Sequence, residues 1–325
     1  MIGATGRVGR EMLSILNEVG IPSDNVFAAA SEKSEGTIVQ YGSSKINVQN
    51  LEKVDFSKYD IGLFSAGGSV SEKYAPLAAS HCCVVIDNTA HFRMNDEIPL
   101  IVPEINFDDL KKYNSNIIAN PNCSTIQMVM ALKPLHDEFG LKEIVVSTYQ
   151  ATSGAGQKGV DELISQTNQI INNENIVPNH FKKQIAFNLI PQIDIFTDSL
   201  YTKEELKMMN ETKKILNLCD IDITATCVRV PVIVGHAISV FAKFERSVDL
   251  QKAINALNEF DGISVIDNPE KYEFSTPIDA ASKNDVFVSR IRKHPTIDTG
   301  INFWCVSDNV RKGAALNAIQ IAKKL

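Results

Sequence analysis

Short apolar runs alternate with amphipathic stretches over the first part of the chain, up to about residue 120. The runs include "YDIGLFSAGG", "CCVVIDNT" and "NIIANPNCS", and the spacing of apolar residues predicts helices over 7–19 and 71–80. Apolar runs of strand length with helices between them are typical of a parallel sheet that is covered on both faces. The pattern therefore predicts a doubly wound, Rossmann-type domain of the α/β class.

The pattern changes near residue 122, where longer apolar runs take over. They include "LKEIVVSTYQA", "IDITATCVRVPV", "AISVFAKFE", "DVFVSRIR" and "GINFWCVSD", with helices predicted near 157–171, 202–217 and 249–259. A succession of long strands favours a mixed or antiparallel sheet, so we expect a second domain of the α+β class. The last predicted helix, over about 309–324, is able to pack on either domain.

Composition narrows the classes of protein to consider. A chain of 325 residues is long enough for two domains with separate cores. The net charge of -7 and the lack of a dense Lys/Arg block argue against a nucleic-acid binder, and no apolar run approaches the roughly 18 residues that cross a bilayer. The six cysteines contain no CxxC pair and we see no secretory signal, so we expect a cytoplasmic protein with free thiols and no metal site.

Three glycines, Gly3, Gly6 and Gly9, precede the first predicted helix in "MIGATGRVGREML". Glycines at this spacing let the backbone approach a pyrophosphate, which the amide N–H groups and the positive helix end then stabilise. The same glycines would also suit simple packing of a strand against a helix. Because only Met1 and Ile2 precede the loop, we expect the first strand of the domain to be truncated.

The residues after the second predicted strand indicate which dinucleotide would bind. An NAD site usually has Asp or Glu there, whereas "AAASEKS" offers Ser31, Lys33 and Ser34 to a 2′-phosphate. Glu32 would repel that phosphate if its side chain pointed inward. We therefore favour NADP over NAD. The Tyr-x-x-x-Lys pair in "YGSSK" would fit a short-chain reductase, but a turn between two strands explains it better.

A cysteine at a predicted helix start is the clearest candidate nucleophile. Cys123 follows an Asn-Pro turn in "NIIANPNCSTIQMVMAL", and a helix N-terminus stabilises a thiolate, whereas a buried core cysteine is the alternative. His236 offers a base seven residues after Arg229, and Pro231 and Gly235 favour a bend that brings both to one pocket. With a dinucleotide loop, these residues suit an aldehyde enzyme that forms a thioester and transfers hydride.

Eight motifs along the chain point to one family. They are "GATGRVG", "FSAGG", "VVIDNTAHFRM", "NPNCSTIQM", "VSTYQATSGAG", "ETKKIL", "CVRVPV" followed by His236, and "SDNVRKGAALN". In these motifs the chain resembles the aspartate-semialdehyde dehydrogenases over essentially its whole length. That family catalyses the reversible NADPH-dependent reduction of L-aspartyl 4-phosphate to L-aspartate 4-semialdehyde with release of phosphate. The reaction is a shared early step toward lysine (by way of diaminopimelate), methionine and threonine.

The resemblance implies a role for each matching residue around the substrate. Cys123 would attack the acyl phosphate and carry the thioacyl intermediate, His236 would act as the acid/base, and Gln150 would position the substrate. Four charged residues would bind the substrate, with Arg229 on the α-carboxylate, Glu211 on the α-amino group, and Lys214 and Arg93 on the phosphate.

The resemblance also implies the cofactor contacts and the assembly. Expected contacts with NADP are Thr5, Gly6, Arg7 and Val8 at the pyrophosphate, Lys33 and Ser34 at the 2′-phosphate, Ser153 and Gly154 near the nicotinamide, and Asn309. The last helix would then return to the first domain, which gives an NADP-binding domain over 1–122 and 306–325 and a catalytic and dimerisation domain over 123–305. A homodimer is expected.

Two other functions compete with this interpretation. N-acetyl-γ-glutamyl-phosphate reductases share the fold, the cysteine and the chemistry, but their cysteine motif tends to read Asn-Pro-Gly-Cys-Tyr, whereas Asn122 and Ser124 flank Cys123 here. An acetylated nitrogen also has no need of a carboxylate such as Glu211. A protein that binds NADP without catalysis is the second alternative. The complete set of Cys123, Gln150, Arg229 and His236 argues against it, because a pure binder has no need of a nucleophile with its base.

Overall fold

The computed structural model describes all 325 residues. The strands are β1 (Ala29–Ala30), β2 (Ile38–Tyr41), β3 (Ser44–Asn47), β4 (Gln49–Asn50), β5 (Ile61–Phe64), β6 (Val84–Asp87), β7 (Ile117–Ala119), β8 (Leu141–Gln150), β9 (Asp222–Arg229), β10 (His236–Phe244), β11 (Ile263–Val265), β12 (Asp267–Asn268), β13 (Glu273–Phe274), β14 (Val286–Lys293) and β15 (Gly300–Ser307). The α-helices are α1 (Arg7–Glu18), α2 (Gly68–Ser80), α3 (Pro103–Asn106), α4 (Cys123–Phe139), α5 (Gln157–Ile171), α6 (Lys203–Leu216), α7 (Leu250–Glu259), α8 (Pro277–Ala280) and α9 (Asn317–Lys324).

The chain divides into two compact units. Unit 1 contains Met1–Asn122 and Ala314–Leu325, and unit 2 contains Cys123–Gly313. Residues 306–313, which the sequence predicts to be in the first domain, lie in unit 2. The physical reason is packing, because Ser307 ends a central strand of the unit 2 sheet and a Cβ at Gly313 would lie 2.8 Å from the Cβ of Cys123.

Unit 1 is built on a parallel sheet, as predicted. Strands β5, β6 and β7 pair in parallel, β1 pairs with β4 in parallel, and Ile2 forms parallel bridges to both Ala29 and Phe64. Consecutive residues of β6 and β7 are buried, which requires cover on both faces of the sheet. The α/β class of this unit is therefore confirmed. In "YGSSK", Tyr41 ends β2 and pairs with Ser44 of β3, so this segment is a turn between strands.

Unit 2 contains the predicted mixed sheet, with six strands in the order β11-β14-β15-β10-β8-β9. The outer pairs β11–β14 and β8–β9 are parallel, while the three inner pairs are antiparallel. Burial alternates along β9, as expected for a sheet with one face on the core. Helix α4 is almost wholly buried in this unit. None of the helices combines the length and the apolar composition that crossing a membrane requires.

The end of the chain returns to unit 1 through a π-helical turn rather than through one continuous helix. The helix predicted over about 309–324 starts with a π turn at Arg311–Leu316, and α9 follows. Asn317 at the start of α9 is fully buried, and its Nδ2 donates to the carbonyl of Ile101 (3.0 Å) and to Oδ1 of Asn120 (2.7 Å). This one side chain therefore ties α9 to the loops that follow the sheet.

Replacement of Asn317 by alanine is expected to destabilise unit 1. The change would leave the carbonyl of Ile101 and Oδ1 of Asn120 buried without this donor, and two such losses lower the free energy of unfolding by about 2–4 kcal/mol. Urea unfolding of the full chain measures the effect. Lys323→Ala, on the exposed side of the same helix, is the control and should change stability by less than about 0.5 kcal/mol. Equal stability of the two variants would contradict the role given to Asn317.

Candidate active site

Three strands of unit 2 bring candidate catalytic side chains to one end of the sheet. Gln150 is the last residue of β8 and is paired in register with Arg229, the last residue of β9. On the other side of β8 runs β10, which begins with His236. All three side chains are buried. Register in the sheet, rather than proximity in sequence, therefore joins the glutamine, the arginine and the histidine.

Cys123 is the first residue of α4 and is partly exposed. Gly313 packs directly against it, so no larger residue would fit there. Burial raises the pKa of the Cys227 and Cys305 thiols well above the ordinary thiol value, which makes both poor nucleophiles. Cys123, by contrast, has a helix N-terminus that stabilises negative charge. Nowhere in the chain do three or more histidine, cysteine or acidic side chains meet so as to hold a metal ion.

His236 is fully buried, and its tautomer follows from one backbone hydrogen bond. The N–H of Ala151 donates to Nδ1 of His236 at 3.0 Å, so the proton of the neutral ring is on Nε2, which has no partner within the protein. Burial and the positive charge of Arg229 hold the pKa of His236 well below its usual range. His236 therefore presents an Nε2–H donor, and it could take up a second proton only by giving up the bond from Ala151.

Arg229 shares the pocket of His236. Its Nη1 donates to the carbonyl of Ala151 at 2.6 Å, and a Cβ added at Gly154 would lie 2.9 Å from Nη1 and 3.0 Å from Nε2 of His236. Burial lowers the pKa of Arg229, while the charges of Glu204 and Cys123 act to raise it. Arg229 and Cys123 are therefore close enough to interact electrostatically. The chain bends between Arg229 and His236, as expected, with Gly235 at φ +95°.

The carboxamide of Gln150 is held at both ends. Its Oε1 accepts a hydrogen bond from Oγ1 of Thr148 (3.0 Å), and its Nε2 donates to Oε1 of Glu204 (3.1 Å). Glu204 was missed at the sequence level. The signal that could have found it is a charged stripe on α6 at helical spacing, Glu204, Lys207, Glu211 and Lys214.

The two expected substrate ligands on α6 differ in exposure. Glu211 is buried, at 1% exposed, and Lys214 one turn later is half-buried. A carboxylate kept out of water in this way requires positive or hydrogen-bonding neighbours. Earlier on the same helix, Glu204 and Lys207 form an ion pair at 3.1 Å.

Ser153 and Asn309 form a second buried cluster in unit 2. Oγ of Ser153 donates to Oδ1 of Asn309 at 3.1 Å, and the N–H of Gly235 donates to the same oxygen at 2.9 Å. The structure therefore brings together two of the residues expected near the nicotinamide. It also connects them to the bend that precedes His236.

Arg93 is held at the carboxyl edge of the unit 1 sheet. Its Nε donates to the carbonyl of Asn120 and its Nη2 to that of Asn88, each at 2.9 Å. These two residues directly follow β7 and β6. Ligands of open parallel sheets bind at this edge, so Arg93 lies where a phosphate-binding cation would be expected.

A cavity of about 800 Å³ opens beside the glycine loop of unit 1. Of the predicted cofactor residues, Thr5, Gly6 and Lys33 line it. Arg7 and Val8 form the first turn of α1, and Ser34 lies in the turn after β1. The lining residues that were not predicted from the sequence include Glu52, Ser69, Val70, Lys73 and Tyr74. Four of these five belong to α2, which begins at the last glycine of "FSAGG", and that motif is the signal in the sequence that could have found them.

The glycine loop fits a dinucleotide. Gly3 has φ +83°, and a Cβ there would lie 2.3 Å from the carbonyl oxygen of Ser65, while a Cβ at Gly9 would lie 2.2 Å from the oxygen of Gly3. Only glycine is therefore possible at both positions. In addition, the first turn of α1 carries no acidic residue that would repel a phosphate. The loop therefore suits an anionic nucleotide. Glu32, whose carboxylate would repel a 2′-phosphate if it pointed inward, also lines the cavity.

Comparison with known proteins agrees with this geometry. Residues 1–113 match the family model of the semialdehyde dehydrogenase NAD binding domain, and residues 132–312 match that of the semialdehyde dehydrogenase dimerisation domain. Aspartate-semialdehyde dehydrogenase 2 of Vibrio cholerae is 49% identical over 327 residues, covering 100% of this chain and 96% of the relative. The chain belongs to the aspartate-semialdehyde dehydrogenase family.

Other aspartate-semialdehyde dehydrogenases match at similar levels. The Bacillus subtilis protein is 47% identical over 335 residues, covering 100% of this chain and 96% of the relative. A crystal structure of aspartate semialdehyde dehydrogenase II from Vibrio cholerae, complexed with ASA, superposes with a TM-score of 0.96 at 49% identity and covers 99% of this chain and 96% of that one. The family resemblance expected from the motifs is therefore confirmed along the whole chain.

The buried state of His236 predicts a stability that falls on acidification. In the unfolded chain the pKa of a histidine is about 6.5, whereas burial and Arg229 hold that of His236 well below it. Below about pH 6.5 the unfolded state binds a proton that the folded state does not, so stability is complete above that pH and is lost as the pH falls. Relative to His236→Gln, wild-type unfolding free energy should decrease by up to about 1.4 kcal/mol per pH unit. Urea unfolding at several pH values tests this prediction. It would be contradicted if the unfolding free energies of the wild type and of His236→Gln changed in parallel with pH.

Proposed function

We propose that this chain catalyses the reversible, NADP-dependent interconversion of L-aspartyl 4-phosphate and L-aspartate 4-semialdehyde plus phosphate, through a thioester on Cys123. The observation that carries the proposal is the buried group of Gln150, Arg229 and His236 at one end of the unit 2 sheet, in a chain 49% identical to a Vibrio cholerae aspartate-semialdehyde dehydrogenase. A nucleophile, a directed N–H donor and a buried cation are the groups that acyl transfer from a charged substrate requires.

The first half of the reaction is acyl transfer to sulfur. The Cys123 thiolate attacks the acyl carbon, the bond from that carbon to the phosphate oxygen breaks, and inorganic phosphate leaves with the electron pair. Arg93 and Lys214 neutralise the departing phosphate. Arg229 binds the α-carboxylate with its planar fork and Glu211 binds the α-amino group, so the acyl carbon is presented to sulfur.

The second half is reduction of the thioester. When bound, NADPH would supply the hydride. The residues that would hold it are Thr5, Gly6, Arg7, Val8, Lys33, Ser34, Ser153, Gly154 and Asn309. The Nε2–H of His236 donates a hydrogen bond to the substrate oxygen as that oxygen gains negative charge. The surroundings of His236 favour its neutral state, in which it acts as this donor. It could take up a proton on Nδ1 only if the hydrogen bond from the N–H of Ala151 were broken. Collapse of the tetrahedral adduct frees the aldehyde and restores the Cys123 thiolate.

The assembly and location are part of the proposal. We expect a homodimer formed through unit 2, which the match of residues 132–312 to a dimerisation domain supports. A cytoplasmic location stays a prediction from the sequence. N-acetyl-γ-glutamyl phosphate is the less favoured substrate, because the buried carboxylate of Glu211 has no positive partner in an acetylated nitrogen.

The central test is turnover with and without Cys123. The purified chain should reduce NADP in the presence of aspartate semialdehyde and phosphate, and Cys123→Ala should abolish this activity because no thioester can form. Cys219→Ala, which removes an exposed cysteine, should keep wild-type activity. NADPH absorbance follows the reaction. Turnover of N-acetylglutamate semialdehyde but not of aspartate semialdehyde would refute the proposed substrate, and activity in Cys123→Ala would refute the mechanism.

Lys33 is expected to determine the preference for NADP. Its side chain lines the unit 1 cavity, and loss of a charge-assisted contact to a 2′-phosphate weakens binding about tenfold or more. Lys33→Ala should therefore raise the Kd for NADP by this factor and that for NAD less than about twofold. Lys58→Ala, which lies outside the cavity, is the control. Titration by fluorescence or calorimetry gives both dissociation constants. An equal loss of affinity for the two nucleotides would show that Lys33 does not contact the 2′-phosphate.

A further inference from the structure

Residues 179–190, here called the clip segment, end against the outer edge of the unit 2 sheet. Strand β9 is the last strand on that side of the sheet. The N–H of Ile190 donates to the carbonyl of Arg229 at 3.0 Å, and the N–H of Arg229 donates to the carbonyl of Ile190 at 2.8 Å. On the inner side, the N–H of Val230 donates to the carbonyl of Gln150 in β8 at 3.0 Å. The main chain that carries the Arg229 guanidinium is therefore held from both sides, with the clip segment on the outer one.

Glu162 on α5 binds the start of the clip segment through three consecutive main-chain N–H groups. Its Oε1 accepts from the N–H of Asn179 at 3.0 Å. Its Oε2 accepts from the N–H of Phe181 at 3.2 Å and from that of His180. Hydrogen bonds to an ionised carboxylate are stronger than bonds between neutral groups. The start of the clip segment is therefore fixed to α5 by one side chain.

Gln166, one turn later on the same face of α5, binds the middle of the clip segment. Its Oε1 accepts from the N–H of Ile185 at 2.8 Å and from that of Ala186 at 3.2 Å. Its Nε2 donates to Oε1 of Glu162 at 2.7 Å, so the two side chains are joined. Gln166 is 2% exposed, and Ile185 and Ala186 are fully buried. Two buried N–H groups therefore depend on one carboxamide oxygen, because no water reaches them.

Apolar packing continues these contacts as far as Ile190. Leu163 of α5 forms one buried cluster with Ile185, Ala186 and Ile190 of the clip segment. Only three residues separate Ala186 from Ile190. Close-packed side chains transmit a displacement instead of absorbing it. A shift of the clip segment at Gln166 is therefore passed on to Ile190 and to the end of β9.

The chain just before α5 is also tied to the site. The N–H of Thr152 donates to the carbonyl of Val232 at 2.8 Å, and the N–H of Ser153 donates to that of Ile233 at 3.1 Å. Both acceptors belong to the segment that follows Arg229. Helix α5 therefore has a fixed position relative to this segment, and it can serve as the support against which the clip segment holds Arg229.

We propose that Glu162 and Gln166 are positioning residues, which act through the clip segment on Arg229 and so determine how well the substrate α-carboxylate is recognised. The proposal rests on the proposed function in so far as Arg229 binds that carboxylate. A bidentate contact between a guanidinium and a carboxylate tolerates little displacement. A shift of the Arg229 main chain therefore weakens recognition of the α-carboxylate and leaves the nucleophile, Cys123, in place.

Two aldehydes that differ in the α-carboxylate test whether Gln166 acts through Arg229. One is aspartate semialdehyde, and the other is 3-aminopropanal, which has the same amino group and aldehyde but no carboxylate. Gln166→Leu should lower kcat/KM for aspartate semialdehyde about tenfold and that for 3-aminopropanal less than about twofold. NADPH absorbance in the presence of phosphate follows both reactions, the slower one at high enzyme concentration. Equal losses for the two aldehydes would overturn the proposal.

Two control variants separate this effect from a general loss of stability. Leu257→Ala opens a cavity under α7, which destabilises unit 2 away from the clip segment. Gln157→Leu removes an exposed glutamine of α5 that bonds to Asp161 on the same helix. Both variants should keep the wild-type ratio of the two kcat/KM values. A change of this ratio in either control as large as that in Gln166→Leu would contradict the specific role of Gln166.

An exchange of the two side chains tests whether Glu162 and Gln166 act together. Gln166→Glu places two carboxylates against each other, and Glu162→Gln loses the charge that binds the start of the clip segment. Each single change should lower the ratio of the two kcat/KM values several-fold. The double variant again has one donor between the side chains and keeps acceptors for most of the N–H groups, so its ratio should return to within about threefold of wild type. Losses that simply multiply in the double variant would contradict the joint role.

Amide hydrogen exchange of the full chain gives a readout that needs no activity. In Gln166→Leu the amides of Ile185, Ala186 and Arg229 should exchange faster than in wild type, whereas the amides of β10 should keep their protection. Unchanged exchange at Arg229 would overturn the positioning role. This result also separates the two hypotheses. A chain without turnover of aspartate semialdehyde would refute the proposed function, while exchange at Arg229 would still decide whether the clip segment acts on that residue.

Discussion

The main chain of a single residue, Ala151, sets the geometry on which the candidate site depends. Its N–H donates to Nδ1 of His236 and its carbonyl accepts from Nη1 of Arg229. One rigid backbone segment thus fixes the tautomer of the histidine and the direction of the guanidinium. Because both bonds use main-chain atoms, they do not depend on the alanine side chain. They depend instead on the path of the chain just after β8, and hence on the pairing of that strand.

That pairing explains why the site is built on a sheet rather than on loops. Strand β8 lies between β9 and β10, so its last residue, Gln150, has a strand on either side. The helix that carries Cys123 is tied to the same sheet, because Oγ of Ser307 in β15 donates to Oε1 of Gln127 in α4 at 2.6 Å. Groups held by a sheet and a buried helix keep a more precise geometry than groups on loops.

The sequence predicts the elements well and the contacts between distant residues poorly. Helix α5 covers the same residues, 157–171, as the helix predicted from apolar spacing, since local periodicity decides such an element. The same reasoning also finds Cys123 at a helix start. It could not find the bond from Gln150 to Glu204, which joins residues 54 positions apart. It also predicted one helix over about 309–324, where a buried π turn occurs, because packing rather than propensity determines that turn.

The burial of so many charges has a consequence for substrate choice. Arg93, Arg229, Glu204 and Glu211 are all buried, and each is stable there only when a partner of opposite charge or a hydrogen bond compensates for lost water. A substrate with a carboxylate, an ammonium and a phosphate meets the proposed ligands of this set group by group. An analogue that lacks one of these charges displaces water without replacing its hydrogen bonds, which disfavours its binding far more strongly than a change in size would. In the proposed reaction, specificity therefore follows from desolvated charges, which within unit 2 lie on α6 and at the end of β9.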